Sequence, residues 1–410
     1  MQFKGDHRVK LLSGGDELFD ALCQAVSTAQ REIWMATYIF NDDAASWRVA
    51  QVLAQAADRG VKVHVLVDGF GSNATLVTLR EWWQGTSVRL EVFRPLDRWW
   101  AWLQPGQLRR MHQKLCAVDG QVAFVGGINV IDDRFDLHHG WSERPRLDFA
   151  VQVMGPIVAE VEQVAQALWT RANLGRGWRE EIAVLARSTE PLTKTLQLLR
   201  DLRSGVSSRS VTVESDGLSP VRASLVVRDN FRQRRAIERT YIEAIGRSRE
   251  RVDIACPYFY PGRAFRRSLR RAAARGVKVR LLMQGKIDYR FAALAARVLY
   301  DEMLSRGIRV FEYTPAFLHA KVAVVDRQWA TVGSSNIDPL SLLLNLEANV
   351  VIRDDHFVQE LSARLDQAFA ESVEITGPAL RPGLRGWFSR GLVAWVANTY
   401  LRLAGITGRY

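Results

Sequence analysis

The chain has 410 residues, 48% of them hydrophobic, with thirteen tryptophans among them. That is enough apolar side chain for ordinary cores, which excludes a disordered tail and leaves room for several domains or two fused halves. A net charge of +12 and a pI near 9.9 point to a polyanionic partner, whether nucleic acid, a phosphorylated substrate or an anionic membrane face, and the tryptophan content favours the membrane.

Cys23, Cys116 and Cys256 are odd in number and far apart, so neither a disulfide framework nor a structural zinc site is expected. Each reads as a small core residue in a reducing compartment. The first residues lack the apolar stretch of a signal peptide. No apolar run reaches the ~18–20 residues of a membrane span, so the protein is expected in the cytoplasm or lying on a membrane.

In chain order, VKLLSGGDELFDALCQAVSTAQ reads as a strand, a turn and an amphipathic helix. REIWMATYIF (31–40) is a buried strand, and Asn41 with the two aspartates after it makes an N-cap for a helix ending near Gly60. RGVKVHVLVDG (59–69) is a helix stop running into a parallel-type strand. A helix at 76–84 leads to the strand VRLEVFRP (88–95) and then to MHQKLCAVDGQVAFVGGIN (111–129).

The second half repeats this order. RERVDIACPYFY (249–260), AAARGVKVRLLMQG (272–285) and IRVFEYTP (308–315) lead to LHAKVAVVDRQWATVGSSN (318–336). This is a duplicated β-α-β-α-β unit, expected to form two mostly parallel sheets with helices on both faces. A polar stretch at 171–216 is expected to be a linker, and HFVQELSARLDQAFAESVEI one more amphipathic helix. Thirteen extra residues before the first motif, within DRWWAWLQPGQLRR, form either a lipid-facing loop or a tryptophan cluster packed on its own domain. From Ala379 to Tyr410 five arginines and no acid accompany apolar residues at helical spacing. That tail is either an in-plane membrane helix or a helix docked on the protein's own core.

The paired motifs carry the chemistry. In both, Lys follows His by two, Asp follows Lys by five, and Gly follows Asp by seven. In a strand, i and i+2 share a face, so His112 and Lys114 project together, as do His319 and Lys321. Asp119-Gly120 is a hairpin signal at about 3.3 Å per residue from the histidine, too far to share its ligand. Asp119 and Asp326 therefore read as turn-locking residues. The returning strands bring Gly127 and Asn129, and Ser334 and Asn336, back toward the histidines as oxyanion donors. Two imidazoles and two ammonium groups fit one phosphoryl group and a metal-free phosphodiester mechanism. One histidine attacks phosphorus and the other protonates the leaving alcohol. Asp148 and Glu347, at equivalent strand starts, are the candidates to fix the imidazole tautomers. His7, His64 and His356 read as surface or packing residues, and His138-His139 lacks metal-ligand partners.

At these residues the chain resembles the phospholipase D superfamily, marked by two HxKxxxxD segments each followed by GGxN or GSxN. RRMHQK, FVGGIN, HAKVAVVD and WATVGSSNIDPLSLLLNLEANVVI are similar to the B-type bacterial cardiolipin synthases, over nearly all of 9–370. The resemblance implies an α/β fold of two fused, pseudo-symmetric phospholipase D-like α/β/α sandwich halves with a shared active site, plus a C-terminal amphipathic segment. The parts are 1–170, a linker 171–220, 221–377 and the tail 378–410. It implies transfer of a phosphatidyl group between two phosphatidylglycerols, giving cardiolipin and glycerol, through a phosphatidyl-histidine and without metal or cofactor. It carries His112, Lys114, Asp119, His319, Lys321 and Asp326 into the catalytic set, with His112 as nucleophile and His319 as acid/base. Phospholipids (phosphatidylglycerol, with phosphatidylethanolamine as a further candidate) and an anionic membrane on the cytoplasmic side are the expected partners, and nucleic acid is not. A phosphodiesterase acting on nucleic acid or another phospholipid is the alternative, and a non-catalytic membrane scaffold is disfavoured because both motifs are complete. The first half departs from the common pattern in having Gly127 where serine is usual.

Overall fold

The computed structural model describes residues 3–96, 109–137, 139–185, 219–229, 233–286, 299–338, 341–342 and 345–377, with the side chains of 174–185 left aside. The tryptophan-rich insertion, most of the linker and the whole tail lie outside these residues.

The first half contributes β1 (Lys4–Ser13), α1 (Gly14–Ser27), β2 (Glu32–Thr37), α2 (Ala44–Asp58), β3 (Lys62–Asp68), α3 (Leu76–Trp82), β4 (Arg89–Phe93), β5 (Leu115–Val118) and β6 (Val122–Gly126). A small hairpin of β7 (Phe135–Asp136) and β8 (Gly140–Trp141) precedes β9 (Phe149–Met154) and α4 (Ile157–Leu185). The second half repeats the series as β10 (Val221–Arg228), α5 (Ala236–Arg247), β11 (Arg251–Ala255), α6 (Arg263–Ala274), β12 (Lys278–Gln284), β13 (Arg309–Tyr313), β14 (Val322–Val325), β15 (Trp329–Gly333), β16 (Glu347–Arg353) and α7 (Asp355–Ala370), then a short β17 (Val373–Glu374). Asp43 is the N-cap of α2, its carboxylate accepting from Ser46 N. Asp354 does the same for α7 through Phe357 N.

Both halves share one fifteen-stranded sheet, ordered β17-β13-β12-β11-β14-β15-β16-β10-β1-β9-β6-β5-β2-β3-β4. The order reads alike outward from the antiparallel β1–β10 pair at its centre, which is the signature of a pseudo-twofold. The expectation of mostly parallel sheets is corrected. In each half only the outer pairs, β2–β3–β4 and β11–β12–β13, are parallel. Inward of them all pairings are antiparallel, because the motif turns back on itself in a tight hairpin instead of crossing over through a helix. The linker boundary also moves, since α4 runs on past residue 170 to Leu185.

Apolar faces explain the layers. Leu18, Phe19 and Leu22 of α1, with Val49 and Leu53 of α2, cover one face of the first half's strands. Ile237 and Tyr241 of α5, with Phe265 and Leu269 of α6, do so in the second. The opposite faces meet in a common core. There Val125 and Val151 pack with Val332 and Val350, flanked by Val158 and Val161 of α4 and Leu361 and Leu365 of α7. This core crosses the pseudo-twofold, so the halves are one folding unit. The three cysteines are free and buried, as expected. His7 and His64 are packing residues, His64 stacked 3.8 Å on Trp34. Among the described residues no helix is long and apolar enough to cross a membrane.

Candidate active site

The two histidines emerge just before β5 and β14, at the ends where the parallel strands finish. Each motif is pinned by backbone to the opposite half. His112 N donates to Leu346 O at 3.0 Å, and His319 N to Leu147 O at 2.9 Å. Met111 bridges Leu346 and Leu318 bridges Leu147 in matching one-residue ladders. Leu346 and Leu147 immediately precede Glu347 and Asp148, so these ladders place each carboxylate beside the other half's histidine. His112 Nδ1 lies 3.1 Å from Glu347 Oε2, and His319 Nδ1 lies 2.6 Å from Asp148 Oδ2.

The tautomer follows from the partners. His112 Nδ1 also faces Ser334 O at 3.1 Å, and a carbonyl and a carboxylate can only accept. Nδ1 therefore carries the proton and Nε2 keeps the lone pair. Asp148 imposes the same tautomer on His319. Both carboxylates are almost fully buried, Asp148 at 1% and Glu347 at 0% exposure. Burial raises Asp148 to about 7, and burial lowers both imidazoles, His319 well below its ordinary value. The next influences on His319 are the positive charges of Lys321, Arg146 and Lys114.

The lysines stand beside their histidines as the two-residue spacing requires. Lys114 Nζ donates to His112 O at 2.7 Å, and Lys321 Nζ to His319 O. Burial lowers Lys114 to about 7 and Lys321 to about 8, with the Lys321 ammonium further depressing Lys114 and Arg146 further depressing Lys321. Two lysines that repel each other in a buried site are poised to gain from an anion between them. Tyr38 closes one side, its ring 4.9 Å edge-on to His112 and 5.3 Å from Lys114 Nζ.

The glycine-rich returns do other work than expected. The N–H groups of Gly127 and Ser334 are spent in the sheet, donating to Phe149 O at 2.9 Å and Ala348 O at 3.0 Å. A side chain at Gly127 would collide with the Asp148 carboxylate, so this glycine makes room for the residue that holds His319. Ser334 Oγ donates to Glu347 Oε2 at 2.5 Å, so its hydroxyl supports a carboxylate and is not aimed at a ligand. Asn129 turns its Oδ1 to Ile39 N at 3.2 Å, and Asn336 its Oδ1 to Cys256 Sγ at 3.8 Å. That leaves the two amide NH₂ groups as the donors of this segment.

Asp119 and Asp326 are outside the reacting cluster, against their place in the family's catalytic set. Each has a left-handed backbone, φ 54° and φ 53°, at the far end of its strand. Asp119 accepts from the N–H groups of Gln30, Arg31 and Glu32, and Asp326 from those of Arg249, Glu250 and Arg251. Both clamp the start of a parallel strand to the motif's turn.

Sequence reasoning missed Asp68 and Gln284. They end β3 and β12 at equivalent places and grip the residue before each histidine. Asp68 Oδ2 accepts from Met111 N at 2.9 Å, and Gln284 Oε1 from Leu318 N at 2.8 Å. Burial raises Asp68 to about 6, opposed by Arg110 at 3.9 Å. The usable signal was the position, a polar residue before glycine at the carboxyl end of a parallel strand, where α/β sheets bind ligands. Among the described residues no group of three or more His, Cys, Asp or Glu could hold a metal ion.

A family model described as "Cardiolipin synthase, PLD-like domain" matches residues 22–169 and 241–369. The chain belongs to this phospholipase D-like family. Its two matched segments fall one in each half of the sheet, each with one motif. The chain is similar to cardiolipin synthase B of Escherichia coli K12, at 32% identity over 93% of this chain and 85% of the relative. It is also similar to cardiolipin synthase A of Pseudomonas fluorescens, at 31% over 90% of this chain and 70% of the relative. Among solved structures, phosphatidylserine synthase of Haemophilus influenzae shares the fold with a TM-score of 0.62 at 12% identity, covering 97% of this chain and 94% of that one.

Proposed function

We propose that the chain is a phosphatidyltransferase that joins two phosphatidylglycerols into cardiolipin and releases glycerol. The observation that carries this reading is the convergence of two His–carboxylate pairs and two buried lysines on one site. The similarity to cardiolipin synthases supplies the substrate class.

The chemistry follows from the tautomers. His112 Nε2 attacks the phosphorus of the first phosphatidylglycerol while Glu347 stabilises the charge that grows on the ring. His319, which takes up a proton once the anionic phosphodiester offsets the lysine charges that depress it, gives its Nε2 proton to the departing glycerol oxygen. The phosphatidyl group is now a phosphoramidate on His112. His319 then takes the proton of the hydroxyl of a second phosphatidylglycerol, whose oxygen displaces the histidine and forms the second phosphodiester. Lys114 and Lys321 with the Asn129 and Asn336 amides neutralise the non-bridging oxygens. The pseudo-twofold makes the two histidines nearly equivalent in form. The assignment of His112 as nucleophile rests on analogy with the family.

The enzyme is placed on the membrane as a peripheral protein of the cytoplasmic face, with the basic tail at 378–410 and the insertion at 97–108 as attachments. Phosphatidylethanolamine is a second candidate substrate. Incubating the purified chain with phosphatidylglycerol vesicles, and separately with DNA, tests the reading. Cardiolipin and free glycerol in equal amounts are expected by mass spectrometry. DNA cleavage without lipid transfer would overturn it.

A further inference from the structure

Three of the large apolar side chains exposed among the described residues are Phe70, Leu137 and Trp141, at 56%, 49% and 69% exposure. Lone exposed apolar residues are ordinary on any surface. These three are different because each stands on a loop that also holds a histidine in place. Phe70 follows Asp68, which grips Met111, and the Arg110 guanidinium lies 5.4 Å over its ring. Leu137 and Trp141 belong to the β7–β8 hairpin. There the Trp141 ring packs 5.4 Å from Phe135, Arg146 holds Phe135 O at 2.9 Å, and Leu147 N donates to Phe317 O at 2.8 Å. Phe317 sits two residues before His319, and the His139 ring lies 5.2 Å from it. One apolar tip thus stands over the His112 side of the site and another over the His319 side.

Their surroundings set exposed basic groups beside the half-buried acids Asp132, Asp133 and Asp136. Arg110 backs Phe70, Arg134 and Arg144 are exposed around the hairpin, and Lys286 lies 5.5 Å over the Phe317 ring. Glu143 is the exposed acid of the hairpin, and Glu371 pairs with Arg144 at 3.3 Å. The chain also leaves at Leu96 for the tryptophan-rich insertion and returns at Arg109, whose carbonyl accepts from Arg94 at 2.9 Å, beside the same mouth.

We infer that Phe70 on one side and the Leu137–Trp141 hairpin on the other are the membrane-seating rim of the active site, inserted into an anionic bilayer. This rests on the lipid-transfer reading above and adds the surface by which the site meets its substrate. Apolar tips backed by arginines suit the boundary between acyl chains and headgroups, where aromatic side chains settle and basic ones meet phosphates. A rim on both sides of the histidines sets the mouth at headgroup depth, so a phosphodiester reaches Nε2 while its acyl chains stay in the bilayer.

The test uses the full chain and vesicles of equal parts phosphatidylglycerol and phosphatidylcholine. Phe70→Ser, Leu137→Ser and Trp141→Ser are each expected to weaken vesicle partition roughly tenfold, from the apolar area no longer buried. Turnover on vesicles should fall in step, while turnover on monomeric short-chain phosphatidylglycerol should be unchanged. Independently, Leu137→Cys carrying an environment-sensitive fluorophore should shift to the blue with these vesicles, the three native cysteines being buried. Unchanged partition of the triple variant, equal losses on monomeric substrate, or a label that responds to DNA and not to vesicles would each overturn the inference. A wild-type chain that binds vesicles through this rim without making cardiolipin would sink the proposed reaction and leave the surface standing.

Discussion

Asp148 with Gly127, and Glu347 with Ser334, are two solutions to one problem at pseudo-equivalent places. The shorter carboxylate occupies the space a serine would need, and the longer one is steadied by a serine. Gly127→Ser alone should therefore overpack the site, costing about 1–3 kcal/mol and displacing His319. Adding Asp148→Glu should recover part of both stability and activity, a non-additivity read by a double-mutant cycle in urea unfolding and turnover. Removing either carboxylate's charge, by Glu347→Gln or Asp148→Asn, should lower kcat about 10²-fold with little change in KM. Asp119→Ala should behave otherwise. It frees three backbone N–H groups and costs about 2 kcal/mol of stability, with kcat of the folded enzyme nearly intact. The histidines, lysines and turn aspartates were legible from spacing alone. The crossed pairing was not, because it depends on how the halves dock, and Asp68 and Gln284 bear no spacing signature.

The same residues set a pH dependence with a definite sign. A lysine is cationic below its pKa, so free enzyme should lose its hold on the phosphodiester as pH rises through about 7 for Lys114 and 8 for Lys321. The nucleophilic histidine, lowered by burial, is already neutral below its ordinary value. The profile of kcat/KM should thus rise on the acid side below pH 6.5 and fall through pH 7–8. Lys114→Arg should move the falling limb upward, since a guanidinium keeps its charge. A falling limb unmoved by that change would assign it to another group.

At the scale of elements, periodicity and the repeated RGVKV located strands, helices and the duplication. It could not give strand direction, because a buried apolar run looks alike in parallel and antiparallel pairs. Direction came from the connection: β5 to β6 is a hairpin made by Asp119 and Gly120, both with positive φ. The linker reading failed over the last part of α4 because the charged and polar residues in its sequence weaken the helical period. Deleting residues 378–410 should weaken sedimentation with anionic vesicles, by ~1 kcal/mol for each surface arginine lost, and salt should erase the difference. Equal sedimentation of the full and shortened chains would remove the tail from the membrane contact.

For the whole molecule, the continuous sheet and the shared core make each half incomplete. The β1 edge pairs with β10 of the other half, and the inner faces of β6 and β9 pack on that half's β15 and β16 as well as on their own α4. A chain cut between 186 and 218 should recover turnover when both pieces are co-expressed, whereas either piece alone, as a monomer, should give none. Activity in a monomeric single half would contradict the crossed site.

The crossed His–carboxylate pairs also say something about descent. Two identical copies of one half, meeting on a true twofold axis, would produce the same exchange of carboxylates. They would be bound to use one residue at each place. Joining the copies in a single chain lifts that constraint. Aspartate and glutamate, glycine and serine, Asp68 and Gln284 can then drift apart in pairs, and a symmetric catalyst acquires two distinguishable histidines without either leaving its place before the strand.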